Sequence, residues 1–469
     1  MGRKRKIKIL ENVVVTGVAD KGKAVGRHDG QVVFIEGAVP GDVVDIRVFK
    51  KRKGHFLGRV IAFHEYSKER IEPVCEHFGV CGGCKWQHLN YDSQLFHKQK
   101  TVENALGRIG GIDVSGIRTI MGSDETEFYR NKLEFSFSNK RWVTEEEIAS
   151  GEVITDRDAL GFHRPGAFDK IVDVNKCHLQ PDPSNAIRNA VRAFSLENGL
   201  TFFDIREQKG LLRQLFVRVT STGETMVIVS FFYDDQEARK GLLDFLANNF
   251  PEITSIMYVI NGKKNDTIFD LELKLWSGNP YLIEQLGHVK FKIGPKSFFQ
   301  TNSRQAKKLY DVVVEFARLT GNELVYDLYT GLGSIACYVA SNCKQVIGIE
   351  EIEAAIVDAD KNAKLNSLDN TLFYAGDVRH ILTGEFVVEN GKPDLVITDP
   401  PRAGMHGDVV AALLELKAPR IVYVSCNPAT QARDLNLLSE AYEVTDIQPV
   451  DMFPHTHHIE NVVALQLIQ

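Results

Sequence analysis

Residues 323–340 read ELVYDLYTGLGSIACYVA, and this stretch decides the fold of the carboxyl-terminal part of the chain. Its apolar beginning predicts a buried strand, a turn with Gly331 and Gly333 follows, and the remainder predicts a helix. Strand, glycine turn and helix in this order are typical of a doubly wound α/β sheet that binds a ligand at the turn. Many strand-to-helix turns need glycine, so the segment alone does not identify the ligand.

Three further predicted strands end in acidic residues at the same edge of this sheet. QVIGIE ends at Glu350, LFYAGDV brings Asp377 to the edge, and PDLVITDPPRAG adds Asp399. Ligands of such folds bind at the carboxyl ends of the strands, where an acid after the second strand accepts hydrogen bonds from ribose hydroxyls. We therefore expect Glu350 to bind a ribose and Asp377 to meet an adenine edge.

A nicotinamide-binding fold has the same order of strand, glycine turn, helix, strand and acid. Its fingerprint is G-x-G-x-x-G, and GLGSIA fits only if Ala336 replaces the third glycine. The Asp-Pro-Pro element has no role in hydride transfer, whereas it resembles a mark of S-adenosylmethionine enzymes that modify a base. The pattern thus favours a Rossmann-like, S-adenosylmethionine (SAM)-dependent methyltransferase domain over residues 291–469.

A cysteine follows the fifth predicted strand of this domain, in IVYVSCNPAT (421–430). Free cysteine is often only a small core residue. Here Pro428 and Asn427 are expected to begin a helix, and a helix amino terminus lowers the pKa of a nearby thiol. The Cys426 thiolate could then add to carbon 6 of uracil, which makes carbon 5 nucleophilic toward a donor methyl group.

Such chemistry needs a base that removes the proton left on carbon 5, and the segment DMFPHTHHIENVVAL (451–465) offers Glu460 at the start of a strand. Burial there would raise the pKa of this carboxyl and make it a better base. Its three histidines, at 455, 457 and 458, also suggest a metal site. That interpretation lacks the further ligands that a tetrahedral site requires.

The segment CEHFGVCGGCKWQHL (75–89) predicts a metal-binding loop. It contains Cys75, Cys81 and Cys84, and Cys177, before a proline, is the best candidate for a fourth ligand. Four thiolates suit either tetrahedral zinc or an iron–sulfur cluster, and the spacing does not decide between them.

The amino-terminal region predicts a small β-barrel. Short alternating apolar runs between Lys8 and Phe63 are separated by turns, as in barrels that bind single-stranded nucleic acid. Residues 1–60 hold 14 basic and 6 acidic side chains, although the whole chain has a net charge of -6. With its GKAVGR and PGD turns, this region resembles a TRAM domain, an OB-like RNA-binding barrel, and we assign it residues 1–65.

Residues 66–290 predict a central α+β domain that includes the cysteine loop, with a helix over 92–117. Two of its segments carry polar groups suited to RNA: YRNKLEF (129–135) and GFHRPGAF (161–168). The candidate RNA-binding residues are Arg130, Asn131, Lys132, His163 and Arg164. Exposed turns would have the same composition.

Taken together, FFQTN, DLYTGLGS, GIE, DPPRAG, SCNPAT and FPHTHHIE resemble the motifs of the RNA uracil-5-methyltransferase family in order and spacing. The resemblance implies Cys426 as the nucleophile and Glu460 as the base. It also implies a 4Fe-4S cluster on the four cysteines, a uridine stacked on Phe298 or His457, and Asp399 facing the base. The cofactor-binding residues that it implies are Gln300, Tyr329, Gly331, Gly333, Ser334, Glu350, Asp377 and Asp399.

Having both a barrel and a cysteine loop resembles the family members that act on 23S rRNA, and members that act on the tRNA T-loop are a second possibility. An amino-group methyltransferase or a non-catalytic RNA chaperone are the competing functions. No apolar run approaches the roughly 18 residues of a membrane helix, and nothing resembles a signal peptide. We therefore expect a cytoplasmic, monomeric protein without a membrane partner, whose seven cysteines are reduced.

Overall fold

A computed structural model describes residues 8–468, apart from the side chain of Asp20; residues 1–7, part of the basic segment, and residue 469 lie outside the described range. The amino-terminal strands are β1 Lys8–Ala19, β2 Lys23–His28, β3 Gln31–Glu36, β4 Val43–Arg52 and β5 His55–Glu65. They close into a barrel in the order β1-β2-β3-β5-β4. The predicted barrel is confirmed, but GKAVGR is not a turn: it forms most of β2, because Ala24 and Gly26 alternate into the barrel core.

A long loop leads from the barrel to helix α1, Tyr91–Arg108. Asn90 caps the helix, since its side-chain oxygen accepts a hydrogen bond from the Ser93 N–H at 2.8 Å. The prediction of a helix over 92–117 is confirmed as far as residue 108 and wrong over residues 109–117. The helix ends at Arg108 because Gly110 and Gly111 follow, and Gly111 has a φ of 67°.

The central region contains a seven-stranded sheet of order β12-β11-β10-β9-β6-β7-β8, with two long helices packed against it. Its elements are β6 Lys132–Ser138, α2 Glu145–Ala149, β7 Ala159–Arg164, β8 Ala167–Asp173, α3 Ser184–Glu197, β9 Leu212–Val219, β10 Thr225–Phe231, α4 Gln236–Asn249, β11 Ile253–Ile260 and β12 Lys274–Gly278. Strands β7 and β8 were not predicted. They form a hairpin, and GFHRPGAF covers the end of β7, the turn and the start of β8.

The carboxyl-terminal region contains a separate two-stranded hairpin and, as predicted, a second, doubly wound sheet, which has seven strands. Its elements are β13 Leu282–Leu286, β14 Val289–Ile293, α5 Ser303–Ala317, β15 Leu324–Leu328, α6 Ser334–Val339, β16 Gln345–Glu350, α7 Glu353–Leu365, β17 Thr371–Ala375, α8 Val378–Ile381, α9 Gly384–Asn390, β18 Leu395–Thr398, α10 Gly407–Leu416, β19 Arg420–Ser425, α11 Pro428–Leu438, β20 Tyr442–Val450 and β21 Glu460–Leu467. The order is β17-β16-β15-β18-β19-β21-β20. The strand order reverses between β15 and β18, which opens a ligand crevice at their carboxyl ends.

The predicted boundary at residue 290 falls inside β14. Leu286, Phe291 and Ile293 of the β13–β14 hairpin belong to the same apolar core as α5. Helix α1, from the predicted central domain, packs against α11. Over residues 8–468, no helix combines the length and the hydropathy that crossing a membrane requires.

A buried ion pair joins α1 to the segment between β20 and β21. The Lys98 ammonium donates to Asp451 Oδ1 at 2.5 Å and to the Phe453 carbonyl at 3.1 Å, and both charged side chains are fully buried. Tyr91 donates its hydroxyl hydrogen to Asp451 Oδ2 at 2.9 Å. Because a buried charge is tolerated only when it is paired and hydrogen-bonded, these contacts fix the start of the segment that leads to Glu460.

We predict that Lys98→Met lowers the free energy of unfolding by about 3–5 kcal/mol, because it leaves the Asp451 carboxylate buried without its cation. Urea unfolding followed by circular dichroism measures the change. Lys100→Met is the matched control: Lys100 lies two residues further along the same helix and forms an exposed pair with Glu103, so its loss costs less than about 1 kcal/mol. Equal effects of the two substitutions would contradict the structural role of the Lys98 pair.

Candidate active site

Cys426 lies at the carboxyl end of β19, directly before helix α11. As predicted, Pro428 occupies the first turn of the helix and Asn427 is the N-cap, whose side-chain oxygen accepts a hydrogen bond from the Ala429 N–H at 3.1 Å. The Asn427 amide also donates to the Arg402 carbonyl at 3.0 Å. The cysteine turn is therefore fixed against the DPPR turn that follows β18.

Glu460 is brought to the same edge by strand pairing. Strand β21 runs antiparallel to β19, with Ser425 opposite Asn461, so that Glu460 lies next to the cysteine turn. Only 5% of Glu460 is exposed. The two candidate catalytic residues, 34 positions apart in sequence, therefore become neighbours through the sheet register.

The pKa of Cys426 is raised, whereas we expected the helix amino terminus to lower it. Burial, together with the nearby Glu460 and Asp399 carboxylates, raises the pKa of the thiol to about 11, while the charge of Arg402 and a hydrogen bond with it act in the opposite direction. The predicted lowering of the Cys426 pKa by the helix amino terminus is thus outweighed. In the protein without ligands this residue is a neutral thiol at neutral pH.

The two carboxyl groups beside the thiol are also perturbed. Burial raises the pKa of Glu460 well above its usual value, and the Asp399 carboxylate adds to this effect. Burial likewise raises the pKa of Asp399, with a contribution from Asp327. A raised pKa makes the ionised form of a carboxyl group a stronger base, which is the property required of a group that accepts a proton during a reaction.

The glycine turn after β15 has an unusual backbone conformation and borders open space. Tyr329, Gly331 and Gly333 all have positive φ angles, and the Gly331 N–H donates to Glu350 Oε2 at 3.1 Å. A Cβ at Gly333 would lie 3.0 Å from Ala359 Cβ, whereas a Cβ at Gly331 would meet nothing within 4 Å. Glycine at 333 thus lets α6 pack on α7, and the turn at 331 borders room for a ligand.

Several polar groups of the remaining candidate cofactor-binding residues already make contacts within the protein. The Ser334 hydroxyl accepts a hydrogen bond from Tyr310 at 2.9 Å. Asp377 caps α8 and pairs with Arg379, which holds its pKa at about 2. Gln300 is buried and stands at the end of the segment that enters α5.

The candidate RNA-binding residues separate into two groups. Arg130 and Lys132 line a cavity of about 520 Å³ between the cysteine loop and residues 296–301. Asn131 is only 5% exposed and donates to the Gln300 carbonyl at 2.9 Å, so it supports that segment from below. His163 and Arg164 lie on strand β7, where the Arg164 guanidinium covers the Trp142 ring.

The four candidate metal ligands, Cys75, Cys81, Cys84 and Cys177, line one end of the same cavity. Burial raises the pKa of all four thiols, to about 12 for Cys84 and about 11 for Cys177, and each of these two pKa values is raised further by neighbouring cysteines. The donor set therefore fits a cationic group that would stabilise clustered thiolates. In the part of the chain that the structure describes, no three His, Cys, Asp or Glu side chains converge on a single-ion site.

Sequence reasoning missed two residues of the site. Arg402 contributes the hydrogen bond that favours the Cys426 thiolate, and its signal was the arginine after the two prolines. Asp327 ends β15, and burial raises its pKa to about 7 although Thr330 and the Ala336 N–H donate to it. The sequence feature that could have identified Asp327 is an acidic residue inside an apolar strand.

Family models match both ends of the chain. The model described as tRNA (Uracil-5-)-methyltransferase matches residues 205–468, and the TRAM domain model matches residues 10–61. Together these matches include the barrel and the whole candidate active site.

Relatives and a solved structure match over nearly the full length. An uncharacterized RNA methyltransferase of Bacteroides thetaiotaomicron is 54% identical, over 96% of this chain and 100% of the relative. One from Chlorobaculum tepidum is 39% identical, over 99% and 97%. The crystal structure of the Pyrococcus abyssi tRNA (uracil-54, C5)-methyltransferase in complex with S-adenosyl-L-homocysteine is similar with a TM-score of 0.75 and 30% identity, over 96% of this chain and 99% of that one.

Proposed function

The chain belongs to the RNA uracil-5-methyltransferase family, so it methylates carbon 5 of uridine in RNA with S-adenosylmethionine as donor, and we propose that its substrate is 23S rRNA. Family membership favours uracil methylation over the two competing interpretations, an amino-group methyltransferase and a non-catalytic RNA chaperone. The combination of barrel and cysteine loop, which resembles the members that act on 23S rRNA, supports this target. The tRNA T-loop is the second candidate, because the similar Pyrococcus abyssi enzyme is named for uracil 54 of tRNA.

The observation that carries the proposed mechanism is the common position of Cys426, Glu460 and Asp399 at one sheet edge. The Cys426 sulfur forms a bond to carbon 6 of the uracil, and the electron pair of the 5,6 double bond moves onto the ring as an enolate. Because the free thiol is protonated, its S–H bond breaks as the bond to carbon 6 forms, and the proton passes to water. The Arg402 hydrogen bond favours that loss.

When bound, the donor would supply an electrophilic methyl group on a sulfonium. Carbon 5 of the enolate would take this methyl as its bond to sulfur breaks, and S-adenosylhomocysteine would leave. Glu460 then removes the hydrogen that remains on carbon 5. The freed electron pair restores the 5,6 double bond and expels the Cys426 sulfur. A carboxylate whose pKa is raised by burial accepts that proton more readily than an exposed one.

The residues around the glycine turn would hold the donor. The Glu350 carboxylate, already fixed by backbone N–H groups of the turn and of Ile352, is oriented toward a ribose. Gln300, Tyr329, Gly331, Gly333, Ser334 and Asp377 would complete the donor pocket. Phe298, which is 76% exposed, or His457 would stack on the uridine, while Asp399 faces its ring.

We predict that Cys426→Ala abolishes methyl transfer and that Glu460→Gln accumulates a covalent protein–RNA adduct, because the cysteine can then add but cannot be released. Radiolabelled methyl transfer measures the first effect, and a denaturing gel measures the second. Cys343→Ala is the control for loss of a buried cysteine and retains transfer. Normal methylation by the Cys426→Ala variant would refute the covalent mechanism.

The target is tested by mapping 5-methyluridine in a strain that lacks this protein. We expect loss of 5-methyluridine at a single position of 23S rRNA, unchanged tRNA, and restoration by the wild-type chain but not by Cys426→Ala. Loss of the modified uridine from the tRNA T-loop, with 23S rRNA unchanged, would transfer the assignment to the second candidate.

We further propose that Cys75, Cys81, Cys84 and Cys177 hold a 4Fe-4S cluster. The position of Cys177 supports this: its N–H donates to the Asn185 side chain at 2.7 Å, and the Asn185 amide donates to the Cys177 carbonyl at 3.2 Å. Cys75 is held similarly, by the Gln87 side chain at 3.1 Å. These bonds fix the ligand backbones before the group binds.

We predict that anaerobically purified protein is coloured, with a broad visible absorption band and bound iron and sulfide, and that Cys81→Ser loses all three. Cys343→Ala, which removes a buried cysteine away from the loop, keeps them. A colourless protein that contains zinc would contradict the cluster.

A further inference from the structure

The cavity beside the cysteine loop is lined by five basic side chains. Two exposed aromatic rings, Phe269 and Phe298, also line it. The five are Arg130, Lys132, Lys176, Arg218 and Lys296. Arg218 differs from the other four because it is almost fully buried, with 5% of its surface exposed.

Arg218 is poorly satisfied for a buried guanidinium. It donates one hydrogen bond, from NH2 to the Ser297 carbonyl at 3.2 Å. Its NH1 group has no partner, and it makes no salt bridge, within the described range of residues 8–468. A buried guanidinium that keeps an unpartnered N–H group and has no carboxylate in direct contact can bind an anion that arrives from outside.

A second arginine on the same strand has more partners, although its Nε also has none within residues 8–468. Arg213, also buried on β9, donates from NH1 to the Asn261 and Lys263 carbonyls, both at 2.6 Å. Its NH2 reaches the Asn265 carbonyl at 3.2 Å and the Asp266 carboxylate at 2.7 Å. The difference between the two arginines therefore lies in what surrounds them and not in the strand.

Two carboxylates, Glu284 and Glu134, favour the charged form of Arg218 by their charge but form no salt bridge with it. Glu134 pairs with Lys132 at 2.7 Å. Glu284 is fully buried and accepts hydrogen bonds from Ser221, Gln285 and Ser303. Burial lowers the pKa of Arg218 to about 10, so that the guanidinium remains charged at neutral pH.

The surroundings of Arg218 identify the class of anion. Single-stranded RNA binds where cationic groups meet its phosphates and exposed aromatic rings stack on its bases. The cavity also extends to Thr301, next to Gln300 of the donor segment. Resting on the proposed function, we propose that the Arg218 guanidinium binds a phosphodiester of the substrate RNA next to the target uridine, with the neighbouring base stacked on Phe269.

The test compares Arg218→Met with the wild-type protein in binding a labelled single-stranded RNA oligonucleotide over a salt series. We expect about tenfold weaker binding, and a decrease of about 0.7 in the slope of log affinity against log salt, as for one lost phosphate contact. The KM for S-adenosylmethionine stays unchanged. The melting temperature of the free protein stays equal or rises, because methionine replaces an uncompensated charge.

Arg213→Met is the matched control: it removes four hydrogen bonds of a buried arginine, so it lowers the melting temperature and leaves RNA affinity per folded molecule unchanged. Arg218→Lys, which keeps the charge, retains the wild-type salt slope and decides the matter if Arg218→Met does not fold. Wild-type affinity and salt slope in Arg218→Met would overturn the inference, as would a raised KM for S-adenosylmethionine with RNA affinity unchanged. Absence of RNA binding by the wild-type protein would overturn the proposed function itself.

Discussion

The site depends on how the segment between β20 and β21 is held, and the buried Lys98–Asp451 pair is the strongest of its attachments. The same segment is bound by other parts of the chain: the His455 carbonyl accepts hydrogen bonds from the backbone N–H groups of Lys85 and Trp86, and the Tyr129 hydroxyl donates to the Pro454 carbonyl. Trp86 in turn donates to the Gly22 carbonyl of the barrel. Barrel, cysteine loop, central sheet and methyltransferase sheet therefore all meet at the residues that precede Glu460, and its position depends on every one of them.

The two candidate catalytic residues, Glu460 and Cys426, have opposite electrostatic requirements. Glu460 needs a poorly hydrated place to become a better base, but the same place, together with Asp399, disfavours the Cys426 thiolate. The free protein therefore keeps its nucleophile protonated, which protects a half-buried thiol from oxidants and alkylating agents. A positively charged ligand at this edge would shift the balance toward the thiolate, so that the nucleophile becomes reactive when a reaction partner is present.

Much of the fold and part of the site could be predicted from the sequence. The β15–α6 stretch and the strand-end acids carry strong local periodicity, and the Asn427–Pro428 helix start is a local rule that the structure confirms. The errors came where tertiary context decides: GKAVGR became a strand because the closed barrel pairs it on both sides. The raised pKa of Cys426 comes from burial and, after it, from Glu460 and Asp399, and all three depend on how the chain folds around the sheet edge. Asn131 and Arg218 are both polar residues at or next to strands. The sequence alone could not show that the Asn131 amide supports the segment at Gln300, whereas the Arg218 guanidinium keeps an N–H group without a partner within residues 8–468.

The position of β21 in the sheet has a consequence for biosynthesis. This strand follows β20 in the sequence but lies between β19 and β20, so it leaves the ribosome after both of its neighbours. Until then β19 has an open edge and β20 has no strand to pair with, and open edges are sites of mispairing between chains. Glu460 is the first residue of β21. The nascent protein therefore acquires its candidate base in the same step that closes its most vulnerable sheet edge, and folding and activation become a single late event.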